Sequence, residues 1–373
     1  MKWMIGMSSS LIAATSAHAL IGLRAEATAS VGRPKTGYGW TSTANLIRCE
    51  RRHFAGIKGH TEVPRQCRKR ERRSVILSYS RPLRLALPVG GIVLSGALSI
   101  AAYTARSLNT PRRKSEMDGF TFTPWEVQVP YESVEFVTED GVTIRGWWFP
   151  RQESNQVVVG CTGHKGVKSD LLGIGSGLWR AGNNVLLFDF RGCGESDAAS
   201  PSLAHNELPD ARAAVLYAQR RLPGARLGLI GYSMGAAVAI LVAATDSSIR
   251  AVVADSSFLG MREVVGHAFT RFRLPPLPML GLTDTVNRWR YGYRFAAVRP
   301  LDVVRRVSPR PILLIHGEDD RIVPVEHARH LYDVAGESKE LWITAGTPHC
   351  GTYFDNREHY VRKVSDFFDR GLQ

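Results

Sequence analysis

The chain has 373 residues, enough for one large domain with extra material, and its hydrophobic fraction of 44% is ordinary for a globular protein. Its net charge of +14 is uneven: residues 1–114 hold 20 Lys/Arg against 4 Asp/Glu, and residues 115–373 hold 28 against 30. The near-neutral bulk excludes a basic nucleic-acid-binding fold, and five scattered cysteines give neither a disulfide framework nor metal-ligand spacing.

Met1 to Ala19 resembles a secretory signal, with Lys2, an apolar stretch interrupted by serines, and Ala17-His18-Ala19 as a small-x-small site. Residues 20–80 lack periodicity and carry a basic cluster from Arg65 to Arg73. No aromatic residues interleave those charges, so residues 1–84 read as a disordered basic region, or as sequence upstream of the true start, and not as a nucleic-acid site. Leu85 to Ala105 then runs 21 residues without a charge, long enough for a transmembrane helix. Eight Lys/Arg from Arg65 to Arg84 precede it and four from Arg106 to Lys114 follow, which favours a single-pass anchor with the remaining chain extracytoplasmic. A start near Val75 would leave two against four and remove that argument.

A linker is expected over residues 106–129, and a domain over 130–370. Ser133–Glu139 alternates, Asp140-Gly141 forms a turn, and Val142–Phe149 returns as the second strand of a hairpin. Strand and helix patterns then alternate: Gln156–Cys161 strand, Ser169–Ala181 helix, Asn184–Phe190 strand, Glu207–Arg221 helix. Leu227–Ile230 is a short buried strand followed by an apolar helix from Gly235. Further strands are expected at Ala251–Ala254, Pro311–His316 and Glu340–Thr344, with helices at Val325–Val334 and Tyr353–Arg370. The order implies one α/β domain with a mostly parallel, doubly wound sheet. Over residues 257–300 the alternation lapses, and seven arginines accompany Glu263 and Asp284. An insert of this length at a sheet edge is expected to cap a site.

Gly231-Tyr-Ser-Met-Gly235 joins a strand to a helix, the arrangement of a nucleophile elbow, in which flanking glycines let strand and helix pass closely. A serine hydroxyl needs an adjacent base, and the base needs a group to fix its tautomer. Downstream, His316-Gly-Glu-Asp-Asp-Arg-Ile-Val-Pro324 places carboxylates after a buried strand, and Gly346-Thr-Pro-His349 places an imidazole on a loop. Asp255 also ends a strand and is the competing acid.

With Asp189-Phe-Arg-Gly-Cys-Gly-Glu-Ser-Asp197 these motifs make residues 130–370 resemble the α/β-hydrolase superfamily, in its branch of esterases, lipases and serine aminopeptidase-like proteins. The resemblance implies an α/β-hydrolase fold and a Ser233–Asp320–His349 triad, with Asp320 rather than Asp319 as the acid. It implies an oxyanion hole from the backbone N–H groups of His164 and Met234, with Thr162 standing where the family has histidine. Asp189, Arg191 and Asp197 are then loop-stabilising, and His316 packs or hydrogen-bonds below the site. The implied reaction is hydrolysis of a carboxylic ester in a small-molecule acyl substrate, lipids included, needing no metal or organic cofactor. Alternatives are a peptidase, amidase or thioesterase of the same fold, or an inactive membrane-tethered scaffold for protein interaction.

Overall fold

The computed structural model describes residues 81–111 and 122–373, with side chains from residue 90 onward. The signal-like segment, Cys49 and Cys67 lie outside the described residues, as do all but the last four of the 84 residues expected to be disordered.

Eight strands form one sheet in the order β1-β2-β4-β3-β5-β6-β7-β8. They are β1 (Glu132–Val137), β2 (Thr143–Phe149), β3 (Gln156–Cys161), β4 (Asn184–Phe188), β5 (Arg226–Tyr232), β6 (Ile249–Asp255), β7 (Ile312–Gly317) and β8 (Lys339–Thr344). β2 runs antiparallel to both neighbours, and every later pairing is parallel. The central strands are continuous apolar runs because both faces are covered, so side chains above and below the sheet are equally withdrawn from water.

One face packs α2 (Leu172–Arg180) and α10 (Arg357–Gly371) against Val158, Ile230 and Leu313. The other packs α3 (Glu207–Arg221) and α4 (Met234–Ala243) against Val159, Leu229 and Val252. α4 is apolar all round because it is buried all round. Between β6 and β7 the insert forms α5 (Met261–Arg271), α6 (Pro276–Tyr291) and the short α7 (Pro300–Val303). α8 (Glu326–Val334) joins β7 to β8, and α9 (Thr352–Asp355) follows β8. The expected closing helix is thus divided: Asn356 takes an extended conformation and its side chain accepts from His359 N, starting α10 afresh.

The apolar stretch expected at 85–105 lies within a longer helix, α1 (Arg81–Asn109). It is long and apolar enough to cross a membrane by length and composition. Its C-terminal part, however, is docked. Ala101 and Ala105 are buried, and Asn109 Nδ2 donates to Asn287 Oδ1 on α6 at 2.8 Å. Lys165 Nζ donates to Ser107 O at 2.7 Å, placing a cation at the negative end of the helix dipole. Residues 106–109, expected to begin a linker, therefore belong to this joint.

Arg191 ties the hairpin to the body. Its side chain is buried, with Nη1 2.6 Å from Asp140 Oδ2 and Nη2 2.6 Å from Asp210 Oδ1. Arg191 in turn pulls the Asp140 carboxyl down to about 2, chiefly through these hydrogen bonds. Removing one partner of a buried ion pair strands the other charge. Arg191→Ala is therefore expected to lower stability by about 3–5 kcal/mol in urea denaturation with an unchanged m-value. A loss below about 1 kcal/mol would show that this pair does not brace the hairpin.

Candidate active site

β5 ends at Tyr232, and the backbone turns at Ser233 with φ 51° and ψ −113° before α4 opens. Such a conformation costs a residue with a Cβ about 1–3 kcal/mol. Local bonds hold it in place: Ser233 N donates to Asp255 O at 2.8 Å, while Ser233 O accepts from Ala236 N at 3.1 Å and Ala237 N at 3.2 Å. Both flanking glycines are sterically required. A Cβ on Gly231 would lie 2.2 Å from Gly235 O, and a Cβ on Gly235 would lie 2.1 Å from Cys161 O at the end of β3.

Asp320 sits in the turn after β7. Its Oδ1 accepts from Ile322 N at 2.8 Å and Val323 N at 2.9 Å. Its Oδ2 lies 2.5 Å from His349 Nδ1 and 3.1 Å from His316 Nε2. Burial alone would raise this acid, but hydrogen bonds from His316 and His349 outweigh it and hold the carboxyl well below its usual range. His349, on the loop after β8, directs Nε2 to Ser233 Oγ at 2.9 Å.

An ionised carboxylate only accepts, so the proton shared with Asp320 resides on His349 Nδ1. The neutral ring then presents the Nε2 lone pair to the serine hydroxyl. Burial opposes a charged His349 ring, yet its pKa is raised. The Cys350 sulfur favours the charge only as a thiolate, and burial pushes that thiol up. The Asp320 carboxylate is therefore the cause that operates at neutral pH.

The competing acid is engaged elsewhere. Asp255 is fully buried, accepting from Ser256 Oγ at 2.9 Å and Tyr360 OH at 3.1 Å, and burial pushes it up to about 6. Ser256 Oγ also accepts from Cys350 N at 3.1 Å, so this network supports the backbone beside His349. No motif marks Ser256 or Tyr360 in the sequence, because the contacts from Ser256 to Cys350 and from Tyr360 to Asp255 join remote parts of the chain. His316 is expected from the sequence to pack or hydrogen-bond below the site, and the structure supplies the partners: Asp320 Oδ2 and Val323 O. Its Nε2 lies 2.8 Å from Val323 O, so it donates within the acid's turn.

Gly163 lies against the elbow, its would-be Cβ 3.7 Å from the Ser233 Cβ, and brings the His164 segment beside the serine. Met234 is the first residue of α4, where N–H groups lack intrahelical acceptors. Burial, followed by the Lys165 charge, lowers the His164 pKa to about 3, keeping its ring neutral. Asp189 accepts from buried Lys168 Nζ at 2.6 Å, and Asp197 accepts from Thr143 N at 3.1 Å, so the Asp189–Asp197 loop is braced on both sides. Lys168 carried no signal in the sequence. From the insert, Arg271 Nη1 donates to Arg321 O at 2.8 Å, bringing α5 onto the Asp320 turn.

The family model described as alpha/beta hydrolase fold matches residues 156–273. The chain is 33% identical over 192 residues to the uncharacterised YqkD protein of Bacillus subtilis, covering 50% of this chain and 63% of that protein. It is 32% identical over 216 residues to the uncharacterised Rv2307c of Mycobacterium tuberculosis, covering 57% of this chain and 70% of that protein. Among solved structures it resembles the Pyrococcus furiosus esterase Pf2001, with a TM-score of 0.60, 27% identity, and coverage of 71% of this chain and 98% of that one.

The site geometry predicts that His349 titrates above the ordinary histidine value of about 6.5, as followed by imidazole NMR. Asp320→Asn removes the negative partner and should lower that midpoint, whereas Asp255→Asn should move it less. A wild-type midpoint below about 6.5, or a larger shift from Asp255→Asn, would contradict the assignment of Asp320 as the partner.

Proposed function

Because the chain belongs to the α/β-hydrolase superfamily, we propose that it is a serine hydrolase cleaving carboxylic esters through an acyl-enzyme. The observation that carries this reading is the single imidazole bridging two groups, His349 Nε2 to Ser233 Oγ at 2.9 Å and Nδ1 to Asp320 Oδ2 at 2.5 Å. An inactive scaffold would have no need to keep that chain of hydrogen bonds together with a strained serine backbone.

In the proposed reaction Ser233 Oγ attacks the acyl carbonyl and its proton passes to His349 Nε2. The negative charge forming on the carbonyl oxygen is held by the backbone N–H groups of His164 and Met234. Collapse expels the alcohol, which takes the proton from His349, and leaves the acyl group on Ser233. Water then gives a proton to His349 Nε2 as its oxygen attacks the acyl carbon. The carboxylic acid departs, and the proton returns to Ser233. Asp320 remains ionised throughout and stabilises the imidazolium formed in each half. No step calls for a metal or organic cofactor. The ester reading is supported by the likeness to an esterase structure, and an acyl chain, lipids included, is the substrate class.

A p-nitrophenyl acyl-ester series of increasing chain length, run on the full chain, tests this function. Wild type should hydrolyse at least one member, and Ser233→Ala should lower kcat by about 10⁴-fold while the fold survives. Because only neutral His349 accepts the serine proton and its pKa is raised, the rate should climb through an acid limb centred above about 6.5. Wild-type turnover in Ser233→Ala would end the proposal.

A further inference from the structure

α1 makes its helix contacts with α6, and the joint fixes how much of α1 is free. Asn287, which meets Asn109, is four residues from the C-terminal end of α6. Ala105, Ala101 and Ala97 must therefore pack back toward the N-terminal end of α6, making the helices parallel. Ala97 to Asn109 spans about 18 Å and Pro276 to Asn287 about 17 Å, so Ala97 stands level with the start of α6. Beyond it α1 projects, and Ile92, Val93 and Leu94 are exposed.

The outward face of α6 is suited to lipid contact. Leu277 and Trp289 are 75% and 82% exposed, and Phe272 in the turn before α6 is partly exposed. Arg273 and Arg288 lie on or beside this face, and among the described residues no carboxylate pairs with them; the insert's acids, Glu263 and Asp284, are taken by Arg299 and Arg294. Exposed tryptophan and leucine among unpaired arginines match an anionic lipid interface, where apolar rings enter the headgroup layer and guanidinium groups meet phosphate.

We propose that the outward face of α6 is a membrane-binding surface, which seats the cap on anionic lipid beside the membrane-length helix α1. The structure gives that surface a rigid joint through Asn109, Asn287 and Tyr293, whose OH donates to Asn109 Oδ1 at 3.0 Å. This goes beyond an anchor on a tether, because the cap itself touches the bilayer.

Trp289 makes the proposal measurable, since α1 contains no tryptophan. The full chain is reconstituted into vesicles of brominated phosphatidylcholine, with or without brominated phosphatidylglycerol, and compared with Trp289→Phe, which keeps the face apolar. In anionic vesicles the wild type should show a quenched component that Trp289→Phe lacks. Replacing Arg273 and Arg288 by Gln should weaken the lipid-bound cap population about fivefold per arginine. Equal quenching of wild type and Trp289→Phe would overturn the proposal. So would protection of Trp289 by dimerisation without lipid, which would identify a second copy as the occupant.

Discussion

Ser233 is held in a backbone conformation that a residue with a Cβ avoids, and the crossing of β5, α4 and β3 is what holds it there. Gly235 passes so close to Cys161 O that any side chain would collide with the end of β3. That close passage sets the depth of α4 beneath the sheet edge and directs the serine hydroxyl toward the loop after β8. The strain of about 1–3 kcal/mol is offset by burial of the almost wholly apolar α4 and by the bond from Ser233 N to Asp255 O. The same carbonyl belongs to the residue whose carboxyl, through Ser256, supports the backbone at Cys350. Serine and imidazole are thus referenced to a common point at the end of β6.

Two carboxylates at the strand ends have different environments. Asp255 is fully buried with hydroxyl donors and has its pKa raised, whereas Asp320 gathers two backbone N–H groups and two imidazoles and has its pKa lowered. The one that stays ionised is the one that meets His349. Electrostatics and geometry select the same residue, and the selection depends on Asp320 sitting in a turn whose N–H groups at Ile322 and Val323 point inward.

Much of this was legible in the sequence because it rests on local patterns. The bounds of α3 could be read directly, since its apolar positions recur at helical spacing, and Ser233, Asp320 and His349 each follow a strand, a buried one for the first two. What escaped depended on contacts between remote segments. Of the insert helices, α6 was hidden because it opens on prolines, which suit a first helical turn but resemble a loop, and because it carries apolar residues on its outer face as well. The docking of α1 was hidden for the opposite reason: Ala97, Ala101 and Ala105 look the same whether they face lipid or a neighbouring helix. The expected oxyanion donors are backbone groups, so His164 could be placed only by its position after Thr162-Gly163 and not by the character of its side chain.

The central claim is that Ser233 becomes covalently acylated because His349, oriented by Asp320, removes its proton. Rapid quenching of the full chain with a p-nitrophenyl ester, followed by peptide mass mapping, reads that step directly. One acyl adduct is expected, on Ser233, which forms during turnover and is sharply reduced in His349→Ala. Hydrolysis that proceeds with no adduct, or with the acyl group on another residue, would contradict it.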